Sequence, residues 1–204
     1  MNQHPLYQKA HYLKSAPNLS HCPEDQGYEV AFAGRSNAGK SSALNVICSQ
    51  KSLARTSKTP GRTQMINYFQ LDEQRFLIDL PGYGFAKVNV NVKRVWEAGL
   101  SDYIEQRQAL KGLVLMMDVR HPLQPLDVMM LDWCNELELP IHVLLTKADK
   151  LSRNQANQAW LQLNKHLQDK YPLASAQLFS SLNKQGLEQA WQKLDSWFDY
   201  SLDR

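Results

Sequence analysis

Few residues in this 204-residue sequence are suited to a disulfide framework or a metal centre. The three cysteines, Cys22, Cys48 and Cys134, lie far apart and form no Cys-x-x-Cys pair. Such spacing supports neither a disulfide-stabilised fold nor a zinc site, so we expect reduced thiols. The six histidines are equally scattered, and no two are spaced as paired metal ligands on a helix.

Long apolar runs and a strong charge of one sign are also missing. No stretch approaches the length needed to cross a membrane, and the first five residues lack the basic region and apolar core of a signal peptide. We therefore expect a cytoplasmic protein without a membrane partner. The net charge of +3 is compatible with a nucleic-acid partner but does not require one.

The sequence does contain enough apolar residues, 43%, for the core of an ordinary globular protein. Residues 1–27 include Pro5, Pro17 and Pro23 and show no sustained period, which predicts an irregular N-terminal arm with little structure of its own. Because no later break in composition separates two units, residues 28–204 are predicted to form one α/β domain.

A phosphate-binding pattern follows the first apolar run, residues 28–33. It consists of two glycines separated by four residues and followed by Lys-Ser, and it reads Gly34, Arg35, Ser36, Asn37, Ala38, Gly39, Lys40 and Ser41. Helix-compatible residues come next, so we predict a strand-to-helix turn whose N–H groups surround a triphosphate. Lys40 would then reach the β- and γ-phosphates, and Ser41 would hold Mg²⁺. The alternative is a Gly-rich turn with a chance Lys-Ser pair.

Residues 51–64 are polar and basic with a Pro-Gly turn, which predicts a long loop. Thr59 or Thr63 would supply a second hydroxyl to Mg²⁺ when a γ-phosphate is present, which would order the loop as a switch. Thr63 is favoured because it lies just before the next predicted strand, 65–71. A solvated connecting loop is the alternative.

A second predicted strand, 75–79, follows at hairpin distance and ends in Asp79, Leu80, Pro81 and Gly82. A carboxylate at the end of a strand beside the phosphate loop is placed to hold the Mg²⁺ shell. The N–H group of Gly82 would bind the γ-phosphate.

Another predicted strand, 141–145, ends in Thr146, Lys147, Ala148 and Asp149. A carboxylate here would accept hydrogen bonds from the N1–H and 2-amino groups of guanine, which adenine lacks. Lys147 would lay its stem over the base plane, and small residues after the last predicted strand, Ser180 and Ser181, would leave backbone N–H groups open to the guanine O6. A solvated helix start is the alternative for 146–149.

In this order, each at the end of a predicted strand, the motifs indicate a GTPase. The segments 34–42, 58–64, 79–84, 146–150 and 180–181 resemble the bacterial EngB (YihA/YsxC) family of TRAFAC-class, translation-factor-related GTPases. The resemblance runs from residue 12 to residue 198. It implies a P-loop NTPase with a Ras-like GTPase domain, in which helices flank a mostly parallel central sheet on both faces. Thr146 stands where GTPases at large have Asn, as it does in this family.

The resemblance also implies site residues and partners. By position it places GTP phosphates at 34–41, at Gly61, Arg62, Thr63, Gln64 and Met65, and at 79–82. It places the base at 146–149 and at Phe179, Ser180 and Ser181, and Mg²⁺ at Ser41 and Thr63. It implies a role in assembly of the large ribosomal subunit, with that subunit or its rRNA as partner, and in normal formation of the division septum. We expect a monomer.

Basic residues would meet rRNA phosphates, with a solvated charged face as the alternative; they are Lys51, Arg55, Lys58, Arg62, Lys87, Lys93 and Arg94.

Hydrolysis requires an in-line water and neutralised charge on the γ-phosphate, and the predicted catalytic groups are Lys40, Thr63 and Gly82, with Mg²⁺. Tyr83 follows Gly82 where many small GTPases place a water-orienting Gln. This predicts slow intrinsic turnover and activation by a partner. Asn37 stands where some potassium-stimulated GTPases place an Asn, so a K⁺ ion near the phosphates is a further hypothesis.

Two other functions fit part of the pattern. An ATP-using P-loop kinase would have an acceptor pocket and an Arg-rich lid, and it would have no use for Asp149. A nucleotide-gated scaffold or division factor with negligible hydrolysis would use the same residues as a GTPase, and only a rate measurement separates the two.

Overall fold

The computed structural model describes residues 3–54, 65–83 and 100–201. The strands are β1 (His11–Ala16), β2 (Tyr28–Gly34), β3 (Ile66–Gln70), β4 (Arg75–Asp79), β5 (Leu110–Asp118), β6 (Ile141–Thr146) and β7 (Ala174–Leu178). The helices are α1 (Lys40–Ile47), α2, described over 100–106, α3 (Pro125–Glu136), α4 (Arg153–Lys170) and α5 (Leu187–Trp197). Short 3-10 helices cover Tyr7–Lys9, Leu19–His21 and Ala148–Lys150.

The strands form one seven-stranded sheet in the order β1-β3-β4-β2-β5-β6-β7. Strand β2 is parallel to β4 and β5, and β6 is parallel to β5 and β7. The antiparallel pairs in the described part of the chain, β1 with β3 and β3 with β4, lie on one side of the sheet. The predicted mostly parallel sheet is confirmed. Its central strands, β2, β5 and β6, are apolar along nearly their whole length because both faces are covered.

Two apolar clusters lie on the two faces of the sheet. Alternation along β2 sends Ala31 and Ala33 into one cluster, with residues of α2, α3 and α4. Val30 and Phe32 point into the other, with residues of α1 and α5. Helices therefore cover both faces, as predicted. No helix in the described part of the chain is long and apolar enough to span a bilayer.

The prediction of an irregular arm over residues 1–27 is wrong for part of this segment. Strand β1 pairs with β3 along its length, with an irregularity between Tyr12 and Lys14. Ahead of it, Leu6 and Tyr7 are buried against α5, and the Tyr7 hydroxyl donates to Asp195 at 2.6 Å. Most of β1 is exposed, so the alternating pattern that reveals a half-buried strand is absent from its sequence.

Candidate functional site

The carboxyl ends of β2, β4, β5 and β6 meet at one edge of the sheet, because all four strands run in the same direction. Phe32 in β2 is in register with Asp79 at the end of β4, and Gly34 with Met116 in β5. Asp118 at the end of β5 is in register with Thr146 at the end of β6. This edge is where ligands bind in open α/β sheets.

The phosphate loop connects β2 to α1 and has the backbone conformation that the predicted turn requires. Asn37 and Gly39 have φ angles of 64° and 95°, in the left-handed region, and α1 begins at Lys40. The N–H groups in the first turn of a helix have no partner within the helix and carry its positive dipole end. They include those of Lys40 and Ser41, which makes this turn an anion site.

Gly34 has a packing role. A Cβ atom at this position would lie 2.8 Å from the Cβ of Met116 and 3.0 Å from its carbonyl oxygen. The glycine therefore lets β2 and β5 approach closely just before the loop opens.

The segment after β4 lies directly against the phosphate loop. The Leu80 N–H donates to the Phe32 carbonyl at 3.0 Å. Two further bonds join Tyr83 to the loop, from its N–H to the Gly34 carbonyl at 3.3 Å and to its carbonyl from the Ser36 N–H at 2.9 Å. The Lys40 ammonium donates to the Asp79 carboxylate, and both side chains are largely buried. Asp79, Leu80, Pro81 and Gly82 are thus brought to the start of α1, as predicted.

The side chain of Tyr83 is directed towards α3. Its ring is buried, and its hydroxyl donates to Oδ1 of Asp127 at 3.1 Å. Burial raises the pKa of the Tyr83 phenol, so the hydroxyl keeps its proton. Asp127 also accepts the Gln124 N–H in the capping box of α3. Tyr83 therefore links the phosphate loop to the start of α3.

Thr146 and Lys147 connect the end of β6 to the phosphate loop. The buried Thr146 hydroxyl lies 2.6 Å from the Ala38 carbonyl and 3.1 Å from the Met117 carbonyl, so one proton is shared between two acceptors. The Lys147 ammonium donates to the Asn37 carbonyl at 2.8 Å. Thr146 thus uses its hydroxyl to join β6, β5 and the phosphate loop.

Asp149 is oriented by the last strand-end loop. The buried Ser180 hydroxyl donates to Asp149 Oδ1 at 2.6 Å, and the Ala148 N–H donates to the Phe179 carbonyl at 3.1 Å. The hydrogen bond from Ser180 lowers the pKa of Asp149, so this side chain is an ionised acceptor at neutral pH. Ser181, half-buried, comes next in the same loop.

Comparison with known proteins identifies the family that has this arrangement. Residues 29–147 match the family model described as a 50S ribosome-binding GTPase. The probable GTP-binding protein EngB of Hydrogenovibrio crunogenus is 66% identical over 198 residues, which cover 97% of this chain and 93% of that protein. The chain belongs to the EngB family of GTP-binding proteins. The resemblance drawn from the motifs is confirmed.

Other EngB proteins and solved structures agree. The probable GTP-binding protein EngB of Nitrosococcus oceani is 58% identical over 192 residues, which cover 94% of this chain and 96% of that protein. A crystal structure of a probable EngB superposes with a TM-score of 0.66 at 22% identity, covering 84% of this chain and 98% of that one. The structure of Era with MgGDPNP and a 16S rRNA segment superposes with a TM-score of 0.65 at 22% identity, and the match covers 84% of this chain and 57% of the Era chain. At that identity the two structures support the fold alone.

In this EngB-family chain, four of the five predicted loops meet at one edge of the sheet. They contain residues 34–41, 79–82, 146–149 and 179–181. Gly61, Arg62, Thr63 and Gln64 lie outside the described residues, so their predicted contacts stay predictions. Met65 is described and is exposed just before β3.

Two further residues at the same edge were missed from the sequence. Asp118 ends β5, and Arg120 follows it in the next turn. Asp118, like Asp79, is a carboxylate at the carboxyl end of a parallel strand, and this position is the sequence signal that identifies it.

Proposed function

We propose that this EngB-family protein is a GTP-dependent switch with slow intrinsic hydrolysis that a partner accelerates. It works as a monomer in the bacterial cytoplasm, in assembly of the large ribosomal subunit, and it is needed for normal septum formation. The single observation that carries the nucleotide part is the ionised Asp149, held by Ser180 at the same sheet edge as the phosphate loop. The cellular roles rest on family membership.

The ionised Asp149 carboxylate supports selection of guanine. An ionised carboxylate accepts two hydrogen bonds and donates none, which fits the N1–H and 2-amino groups of guanine. Adenine presents no such pair of donors, so it would leave a charged acceptor without partners. The Lys147 ammonium is anchored at the Asn37 carbonyl, and the stem of this side chain would cover the base.

The phosphate end supports binding of a magnesium-bound triphosphate. The described residues contain no cluster of three His, Cys, Asp or Glu side chains that would hold a metal by themselves. Mg²⁺ in P-loop proteins needs less, because phosphate oxygens and water complete its shell. The Ser41 hydroxyl and the Asp79 carboxylate are oxygen ligands of the type that Mg²⁺ prefers. Thr63 is the predicted second hydroxyl ligand. When bound, Mg²⁺ would neutralise charge on the β- and γ-phosphates.

The position after Gly82 supports slow hydrolysis. A tyrosine whose hydroxyl donates to Asp127 is not available to orient an attacking water. Lys40 and the Gly82 N–H would still stabilise charge on the γ-phosphate. We therefore expect a partner to supply the missing group or to reposition the segment. A steady-state assay with and without purified large subunits tests this: we expect stimulation, and fast turnover by the isolated protein would contradict the proposal.

The same observation favours a second candidate, a nucleotide-gated scaffold with negligible hydrolysis. Single-turnover measurement of γ-phosphate release in the presence of large subunits separates the two functions. Release that stays as slow as in the isolated protein would favour the scaffold.

A dependence on potassium is a further proposal, which concerns Asn37, a residue with a left-handed backbone conformation in the phosphate loop. We propose that its side chain helps to bind K⁺ beside the phosphates. Hydrolysis in KCl should then be faster than in NaCl at equal ionic strength, and equal rates would refute the proposed K⁺ site.

The ribosomal partner is supported by the family model, described as 50S ribosome-binding, and by the basic character of residues 51–64. Of the basic residues predicted to meet rRNA, Lys51 is described and exposed, and the other six lie outside the described residues. Co-sedimentation with large subunits in the presence of GDP or of a non-hydrolysable GTP analogue tests the partner. We expect nucleotide-dependent binding that weakens with salt.

A further inference from the structure

We propose that Asp118 is a positioning residue for guanine nucleotide binding, which holds the Lys147 ammonium against the phosphate loop. The proposal rests on the proposed function, because the position of Lys147 matters only if its stem covers a bound base. It adds a carboxylate on β5 to a site otherwise built from the phosphate loop and the loops after β4, β6 and β7.

The Asp118 carboxylate is fixed by three donors of one neighbour. Arg120 donates to Oδ1 from its backbone N–H at 3.1 Å and from Nε at 2.9 Å, and to Oδ2 from Nη2 at 2.7 Å. The side-by-side contact with the guanidinium restrains both the position and the plane of the carboxylate. These hydrogen bonds, and next those from Lys147, hold the pKa of Asp118 well below its usual range.

The Lys147 ammonium bridges two segments. It lies 3.0 Å from Asp118 Oδ2 and 2.8 Å from the Asn37 carbonyl. Its own backbone, just after the end of β6, has a φ of 59°, in the left-handed region. A long flexible side chain without a second anchor would lose more conformational freedom when a base binds beneath it. Holding it in place beforehand reduces that entropic cost.

Asp118 is not required to keep the three segments together. The buried Thr146 hydroxyl already joins the phosphate loop, β5 and β6 through the carbonyls of Ala38 and Met117. The Asp118 side chain is 18% exposed and that of Lys147 is 32% exposed, and the lowered pKa of Asp118 means that its charge also stabilises the fold at neutral pH. Loss of that charge should therefore cost some stability, and its effect on nucleotide binding is measured separately.

A double-mutant cycle tests the proposal, with the dissociation rate of fluorescent GDP as the readout. Asp118→Asn keeps the shape of the side chain and removes its charge, and we expect dissociation to become about fivefold faster. Lys147→Met removes the ammonium, and we expect a larger increase. If Asp118 acts through Lys147, the double variant dissociates no faster than Lys147→Met alone. Multiplying effects would overturn the proposal, as would an unchanged rate in Asp118→Asn.

Two further variants separate positioning from folding. Arg120→Gln loosens the carboxylate without removing it, so a smaller increase in the same direction is expected. Asp132→Asn is the matched control, because Asp132 makes an exposed ion pair with Lys170 on α4, and it should leave dissociation unchanged. Thermal unfolding without nucleotide should show both variants fully folded at the temperature of the dissociation assay, with a lower midpoint for Asp118→Asn, and an Asp118→Asn protein that is partly unfolded at that temperature would overturn the proposal. Absence of GDP binding by the unmodified protein would instead overturn the proposed function.

Discussion

In the proposed function, Asp149 concentrates base selection in a single charged group. Its Oδ1 accepts the Ser180 hydroxyl at 2.6 Å, and the exposed Lys150 ammonium lies 3.6 Å from its Oδ2. Asp149→Asn replaces one carboxylate oxygen by an NH₂ group, which turns a hydrogen-bond acceptor into a donor. The variant should bind GDP at least about 100-fold more weakly, since a buried donor would then face the guanine amino group.

The same variant should gain affinity for xanthosine diphosphate, because xanthine has a carbonyl where guanine has its 2-amino group. Competition titrations of both nucleotides against the two proteins measure this exchange. A variant that loses both nucleotides equally would show that Asp149 supports the loop without contacting the base.

His142 makes stability depend on pH. Its ring is buried, with Nε2 2.9 Å from the Gln177 amide oxygen and Nδ1 2.8 Å from the Ser175 hydroxyl. The amide oxygen only accepts, so Nε2 carries the proton and Nδ1 accepts from Ser175. Burial lowers the pKa of His142 to about 4.

Acidification should therefore destabilise the fold through this residue. The folded pKa lies below the unfolded value, so the contribution of neutral His142 is complete above pH 6.5 and is lost progressively as the pH falls towards 4. Between pH 7 and pH 5 the expected loss in free energy of unfolding is about 2 kcal/mol. Urea titrations at both pH values measure it, and His142→Gln, which cannot titrate, should show a smaller loss. An equal loss in the two proteins would contradict this assignment.

Helix α2 is joined to the sheet and to the N-terminal segment by one buried acid. Glu29, at the start of β2, accepts the Tyr103 hydroxyl at 2.6 Å and Nη2 of Arg107 at 2.6 Å. The same guanidinium donates to the carbonyls of Pro23 and Glu24, at 2.9 and 3.0 Å. The end of α2 is thus held by the sheet on one side and by the segment before β2 on the other.

Glu29→Gln should destabilise the protein by about 3 kcal/mol, since it removes the buried counter-ion of Arg107 and leaves only the partly exposed Asp25, 3.5 Å from Nε. Glu105→Gln, the same chemical change on the exposed side of α2, should cost less than about 0.5 kcal/mol. Denaturant midpoints of the two variants give the comparison. Similar midpoints would mean that solvent reaches Arg107 more freely than its burial indicates.

Local sequence patterns predicted the elements whose signal is itself local. The strand before Gly34 and the helix after Gly39 are marked by an apolar run, a glycine pair and Lys-Ser, and the structure has both. Strand β1 escaped prediction because its side chains are mostly exposed and its partner, β3, lies about fifty residues away. Strand β3 was itself predicted, over 65–71, but no local pattern shows which distant segment it pairs with.

The site divides in the same way. Motif order predicted that Asp79, Thr146 and Asp149 would share an edge with the phosphate loop, because parallel strands bring their carboxyl ends together. The partners of these residues could not be predicted, since they depend on which strands are neighbours. The Tyr83 bond to Asp127 joins residues 44 positions apart, and the Lys147 bond to Asn37 joins residues 110 apart.

In the molecule as a whole, we propose that the loops at one sheet edge jointly bind a guanine nucleotide. Isothermal titration of the full chain with GDP, GTP, ADP and ATP, in buffer containing Mg²⁺, is the test. We predict one site per chain that is filled by GDP or GTP, with no detectable heat from either adenine nucleotide. Equal affinity for the adenine pair, or no binding of the guanine pair, would contradict it.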